Sequence, residues 1–83
     1  IAALGNLYIQ KGDNEKGIKT LIEAADKANN DAVSPVFLLQ AGQVYESMNQ
    51  SDKAVELYNT IKTKYFRSPV AQEIDKYIER ATK

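Results

Sequence analysis

Residues 38–61, LLQAGQVYESMNQSDKAVELYNTI, decide the fold class of this chain. Apolar side chains recur every three or four residues before the polar break at residues 49–52, and the same period resumes after it. That spacing places each apolar set on one stripe of an α-helix, whereas a half-buried strand would alternate apolar and polar residues. A polar break of this length is typical of the connection between antiparallel helices. The stretch therefore predicts a helical hairpin.

The helical period extends over nearly all of the 83 residues, and no stretch alternates as a strand would. Ser34-Pro35 and Ser68-Pro69 predict two further helix starts. In each, the serine hydroxyl can cap a helix whose first position is a proline, a residue that is tolerated there. We therefore predict an all-α protein with helices at about 1–11, 14–29, 35–48, 51–65 and 69–82.

The first two predicted helices and the next two repeat each other at an offset of 37 residues. This offset aligns Gly5 with Gly42 and Tyr8 with Tyr45. A glycine inside a helix costs up to about 1 kcal/mol relative to alanine, so some other interaction must offset that cost. We expect the second helix of each hairpin to pack so closely on the first that no side chain fits at the glycine.

This arrangement resembles the tetratricopeptide repeat (TPR) family, in which helix-turn-helix units stack into a solenoid. The second unit matches the family pattern at Leu38, Ala41, Gly42, Tyr45, Ala54, Tyr58 and Ile61, and the first unit at Leu4, Gly5, Tyr8, Gly17, Leu21 and Ala24. The resemblance implies a TPR-type α-solenoid in a single domain over residues 1–83. Repeat 1 would cover 1–29, repeat 2 would cover 35–65, and a capping helix would cover 69–82. Because the chain begins inside a helical pattern, we expect repeat 1 to be truncated and the domain to be the C-terminal part of a longer array.

The composition argues against several classes of function. Eleven basic and eleven acidic residues cancel, which is unlike the strongly positive surface that nucleic acids require. The chain contains no Cys and no His, so thiol nucleophiles, imidazole bases and nearly all zinc and haem sites are excluded. No glycine-rich phosphate-binding loop or catalytic serine motif occurs. We expect no enzyme activity, no cofactor, no metal and no small-molecule substrate.

The remaining candidate is a protein-binding surface. In the TPR family the first helix of each unit lines a concave groove, and a helical wheel selects the same positions on the side opposite the apolar stripes. The predicted groove residues are Asn6, Ile9, Gln10, Val36, Leu39, Gln43, Glu46, Tyr77 and Arg80. Ile9 and Leu39 are apolar where a purely solvated face would be polar, which favours an anchor site for a segment of another protein. The alternative is that Val36 and Leu39 simply pack against neighbouring helices.

A second hypothesis is that the domain serves only to self-associate. If a preceding helix normally covers residues 1–11, its loss leaves part of an apolar stripe bare, and an open solenoid end of this kind favours a homodimer.

Residues 64–69, KYFRSP, resemble a junction found in TPR proteins of the bacterial cell envelope, among them Tol–Pal-associated and membrane-anchored translocon-partner types. The resemblance implies a parent protein with an N-terminal membrane anchor that holds this domain on the periplasmic side as a scaffold. A cytoplasmic location is the alternative.

Overall fold

The computed structural model describes residues 14–82, and this part of the chain contains four α-helices and no strand. They are α1 (Asn14–Ala28), α2 (Ser34–Ser47), α3 (Ser51–Lys64) and α4 (Pro69–Ala81). The all-α prediction is confirmed, and each of these helices begins and ends within one residue of its predicted bounds. The helix predicted at residues 1–11 lies outside the described residues.

The helices pack in the order in which they occur along the chain. Helix α1 packs on α2, α2 on α3 and α3 on α4, while α4 also contacts α2. Because short connections join successive helices, neighbours are antiparallel, and the α2–α3 hairpin packs on α1 through α2 and on α4 through α3. The result is the layered arrangement of a TPR-type solenoid.

Two clusters of buried side chains form the core of the described part. The first cluster lies between α2, α3 and α4 and also includes one residue of α1; its members are Ala25, Leu38, Ala54, Tyr58, Ile61, Tyr65 and Ile74. The second cluster lies between α1 and α2 and consists of Ile18, Leu21 and Ala41. These residues belong to the apolar stripes that the sequence predicts, and their burial stabilises the stacked hairpins.

Gly42 lies against the ring of Tyr58, which is completely buried. A Cβ atom placed on Gly42 would overlap this ring, with the ring Cζ only 2.9 Å away. The prediction that Gly42 faces the second helix of its hairpin is confirmed. The space that a side chain would need is filled by an aromatic ring of α3, rather than by the α3 backbone. Gly5 lies outside the described residues.

The turn between α2 and α3 depends on Asn49, whose φ of 60° lies in the left-handed region. The Asn49 N–H donates to the Glu46 carbonyl at 3.0 Å, and the Gln50 N–H donates to the Tyr45 carbonyl at 2.9 Å. This pair of bonds is a Schellman motif, which satisfies carbonyl groups at the end of a helix. It reverses the chain and positions the C-terminal turn of α2, which includes Glu46.

The two Ser-Pro dipeptides act differently, and the prediction is correct for one of them. Ser68 caps α4, because its hydroxyl accepts a hydrogen bond from the Ala71 N–H at 3.0 Å. Ser34 does not cap α2 and is instead its first residue. Its hydroxyl donates to the Ala25 carbonyl at 2.7 Å and accepts from the Asn30 N–H at 3.0 Å. The predicted cap at Ser34 is therefore wrong, because a turn at residues 31–33 precedes Ser34 and carries it into the helix.

Candidate protein-binding surface

The predicted groove residues of the described part lie on two helices. Val36, Leu39, Gln43 and Glu46 follow one another along a single face of α2, since they are three or four residues apart. Tyr77 and Arg80 share a face of α4 for the same reason. We call these six residues the groove surface. Asn6, Ile9 and Gln10 lie outside the described residues.

An ion pair joins the α2 residues of the groove surface to its α4 residues. Arg80 Nη2 donates to Glu46 Oε2 at 2.7 Å, and the Glu46 side chain is only 19% exposed while that of Arg80 is 57% exposed. The other carboxylate oxygen, Oε1, accepts a hydrogen bond from the Tyr58 hydroxyl at 3.0 Å. Glu46 is therefore held from two directions, by a charged partner at the surface and by a buried phenol beneath it.

Tyr77 completes this cluster from the α4 side. Its ring centroid lies 5.8 Å from that of Tyr58, with the ring planes tilted by 49°, which is a favourable arrangement for two aromatic rings. The Arg80 guanidinium lies over the Tyr77 ring, 5.1 Å from its centroid. A carboxylate and an aromatic ring thus both orient the guanidinium, so that less side-chain freedom remains to be lost when it binds another molecule.

The cluster raises the pKa values of two of its members, Tyr58 and Arg80. Burial raises the pKa of the Tyr58 phenol, and the hydrogen bond to the Glu46 carboxylate raises it further. The same carboxylate raises the pKa of the Arg80 guanidinium by accepting its hydrogen bond. Tyr58 therefore remains a neutral donor and Arg80 remains a cation throughout the pH range in which proteins are usually studied.

Tyr58 belongs to this cluster as well as to the first core cluster, although the predicted groove residues do not include it. It is fully buried and it also fixes the position of Glu46. The residue type itself indicates that Tyr58 has this second role, the positioning of Glu46. A tyrosine at a completely buried position needs a partner for its hydroxyl, which a phenylalanine there would not need.

The other three residues of the groove surface differ in burial. Gln43 is exposed, and Val36 is 37% exposed. Leu39 is half-buried and packs against the first core cluster. Val36 and Gln43 therefore offer an apolar and a polar side chain to the solvent, whereas part of the Leu39 side chain contributes to the core.

Among residues 14–82, no group of three or more His, Cys, Asp or Glu side chains is arranged to hold a metal ion. Within the same range, no helix has the length and apolar character needed to cross a bilayer.

A family model described as tetratricopeptide repeat matches residues 1–30 and 36–61, which is more than half of the chain. The chain belongs to the TPR family, whose repeats generally mediate protein–protein interactions and typically form noncatalytic modules. Comparison with curated proteins finds no match, and comparison with solved structures finds none either. No relative therefore supports the narrower resemblance to envelope-associated TPR proteins.

Proposed function

We propose that this domain is a noncatalytic module that binds a segment of a partner protein on the groove surface. The observation that carries the proposal is the Glu46–Arg80 pair, which is braced from below by Tyr58 and from the side by Tyr77. Side chains that are already ordered lose less freedom on binding than mobile ones. A braced charged pair at the C-terminal end of α2 and the exposed Val36 near its N-terminal end therefore suit recognition of a peptide segment that runs along this helix.

The groove surface offers contacts of two kinds to such a segment. Val36 and the exposed part of Leu39 can contact apolar side chains of the partner. Gln43 carries an amide that both donates and accepts hydrogen bonds, and the Arg80 guanidinium has N–H groups beyond the one bound to Glu46. These groups match the backbone carbonyls and amides that an extended partner segment presents along its length.

The first experiment identifies the partner. A photo-crosslinking amino acid replaces Gln43 in the protein as it is expressed in its own cell, and the same amino acid replaces the exposed Glu56 of α3, outside the groove surface, as a control. We expect one protein to crosslink at position 43 and not at position 56. Equal crosslinking at both positions would contradict a specific role of the groove surface.

The second experiment compares Val36→Glu with Val33→Glu, using the partner so identified. The two valines are almost equally exposed, at 37% and 38%, but Val33 precedes α2 and lies outside the groove surface. We expect Val36→Glu to weaken binding about tenfold or more, because it places a charge in the apolar part of the contact. Val33→Glu should leave the affinity within about twofold of the original.

A substitution at Leu39 tests whether this residue binds the partner or packs in the core. Leu39→Glu should retain helicity and lose partner binding if the residue is chiefly an anchor. Unfolding of the variant would assign Leu39 to the packing of α2 against the first core cluster, which it contacts. In that case the groove surface would depend on Val36, Gln43 and Arg80.

We further propose that the parent protein places this domain in the bacterial cell envelope, on the periplasmic side of a membrane. The support is the similarity of residues 64–69 to junctions in envelope-associated TPR proteins. Fractionation of cells that express the parent protein with a C-terminal tag tests this proposal. Recovery of the tagged protein only in the cytoplasmic fraction would contradict it.

A further inference from the structure

Helix α1 carries a regular row of alternating charges on its outer surface. Glu15, Lys19, Glu23 and Lys27 are spaced four residues apart, and all four are exposed. None of the four forms an ion pair with another residue of the described range 14–82. Their charges are therefore available to another molecule.

A cavity lined by both apolar and charged residues adjoins this row, and Glu15, Lys19 and Glu23 of the row belong to its lining. It has a volume of about 370 Å³ and lies between α1, the C-terminal end of α2 and the start of α3. Its lining combines the apolar residues Ile18, Ile22 and Tyr45 with polar and charged ones, among them Gln50 and Lys53. Ile22 and Tyr45 are half-buried, so another molecule that covers the cavity removes apolar surface of these two residues from water.

The row is complementary to itself. The row begins with an acid at its N-terminal end and finishes with a base at its C-terminal end. When a second α1 lies antiparallel to the first, Glu15 therefore lies opposite Lys27, and Lys19 lies opposite Glu23. Each of these pairs occurs twice, because a two-fold axis relates the copies. Parallel copies in register would instead place like charges opposite each other, which disfavours that arrangement.

We propose that the occupant of this surface is a second copy of the chain, docked with its α1 antiparallel to the first α1. Burial of the half-buried Ile22 and Tyr45 beside the row supplies the attraction, whereas the exposed ion pairs chiefly set the orientation, since each contributes little by itself. This interface is separate from the groove surface and from the dimer expected through residues 1–11. The groove surface remains free to bind a partner in both copies.

Acids and bases four residues apart also stabilise the single helix that carries them. The test must therefore separate dimerisation from the stability of α1 itself. Sedimentation of the 83-residue chain at low salt should show a monomer–dimer equilibrium. Lys19→Glu and Glu23→Lys should each weaken the dimer about tenfold or more, because each variant places like charges opposite each other twice. Lys76→Glu, an exposed charge reversal on α4, is the control and should leave the dimer unchanged.

Mixing the two single variants gives the decisive measurement. In the mixed dimer, both positions 19 and 23 are acidic in one copy and basic in the other, so each of these positions faces an opposite charge. The pairs between Glu15 and Lys27 are unchanged and remain complementary. We expect the mixture to regain an affinity within about threefold of the original, whereas a loss of helix stability would not be restored by mixing.

Three results would overturn the proposal. The first is an original chain that stays monomeric up to its limit of solubility. The second is a dimer that persists unchanged in both single variants, which would assign dimerisation to another surface such as residues 1–11. The third is failure of the mixture to recover. None of these results bears on partner binding at the groove surface, so the two proposals can fail independently.

Discussion

The α1–α2 connection and the α3–α4 connection each lead into a Ser-Pro dipeptide with a buried serine hydroxyl. The hydroxyl has a different role in each connection. Ser34 and Ser68 are both completely buried. Ser68 bonds within its own connection, to the Tyr65 carbonyl at 2.8 Å and the Ala71 N–H at 3.0 Å. Ser34 reaches back nine residues to the Ala25 carbonyl and so ties the end of α1 to the start of α2.

In the first connection a side chain caps the turn before α2, whereas the helix itself has no side-chain cap. The Asn30 side chain accepts hydrogen bonds from the N–H groups of Ala32 and Val33, at 3.0 and 2.8 Å. Because Asn30 caps the turn at 31–33, the Ser34 hydroxyl can donate its hydrogen bond to the Ala25 carbonyl of α1. The comparison shows that a Ser-Pro dipeptide does not by itself determine whether its serine caps the next helix.

The largest effect should come from Ser34→Ala. This change removes the bond between α1 and α2 and leaves the Asn30 N–H without its acceptor, so we expect a loss of about 2 kcal/mol in the free energy of unfolding. Urea unfolding followed by circular dichroism measures the loss. Faster hydrogen exchange at the Asn30 amide should accompany it, and an unchanged rate there would contradict the assignment.

Ser68→Ala should have a somewhat smaller effect, about 1 kcal/mol, because it removes a local helix cap. Its signature differs from that of Ser34→Ala, since the Ala71 amide loses its acceptor and should exchange faster. If both variants accelerated exchange only at the start of the following helix, the two serines would have the same role after all.

Asn30→Ala tests which residue caps the first connection. We expect a loss of up to about 1 kcal/mol, because two backbone N–H groups lose a common acceptor at an exposed site. Arg67→Ala, in the second connection, is the control and should change stability by less than about 0.5 kcal/mol. Equal effects of the two substitutions would remove the distinction between the connections.

The smallest effect concerns the contact between the two connections. The Tyr65 hydroxyl donates to the Asn29 side-chain oxygen across 3.4 Å, which is a long hydrogen bond. Tyr65→Phe keeps the buried ring and removes only this bond, so we expect a change of about 0.5 kcal/mol or less in the free energy of unfolding. A loss comparable to that of Ser34→Ala would show that the two connections depend on each other more than the geometry implies.

Much of the fold can be predicted from local patterns. The stripes on α1 to α4 follow from apolar spacing, and the helix starts follow from Ser-Pro dipeptides and polar breaks, to within a residue. Gly42 could be predicted as a point of close packing because a glycine inside a helix needs a reason. The cap assigned to Ser34 was wrong because hydroxyl partners depend on the path of the connection, which the dipeptide does not contain.

The candidate site, like the fold, could be predicted from the sequence only in part. Glu46, Tyr77 and Arg80 could be placed on helix faces from the sequence. That Glu46 and Arg80 form a pair could not, since they lie 34 residues apart in the chain. The role of Tyr58 was missed for the same reason, because its partner Glu46 belongs to another helix.

The order of residues alone determined that the described part of this chain is helical, which faces of its helices are apolar, and that the sequence pattern repeats at an offset of 37 residues. These properties follow from spacing within single helices, where neighbouring residues set the geometry. Tertiary structure alone decided which hydroxyl caps a helix, which acid meets which base, and what fills the space beside Gly42. Each of these depends on how closely separate helices approach, and that distance is the outcome of packing the whole core.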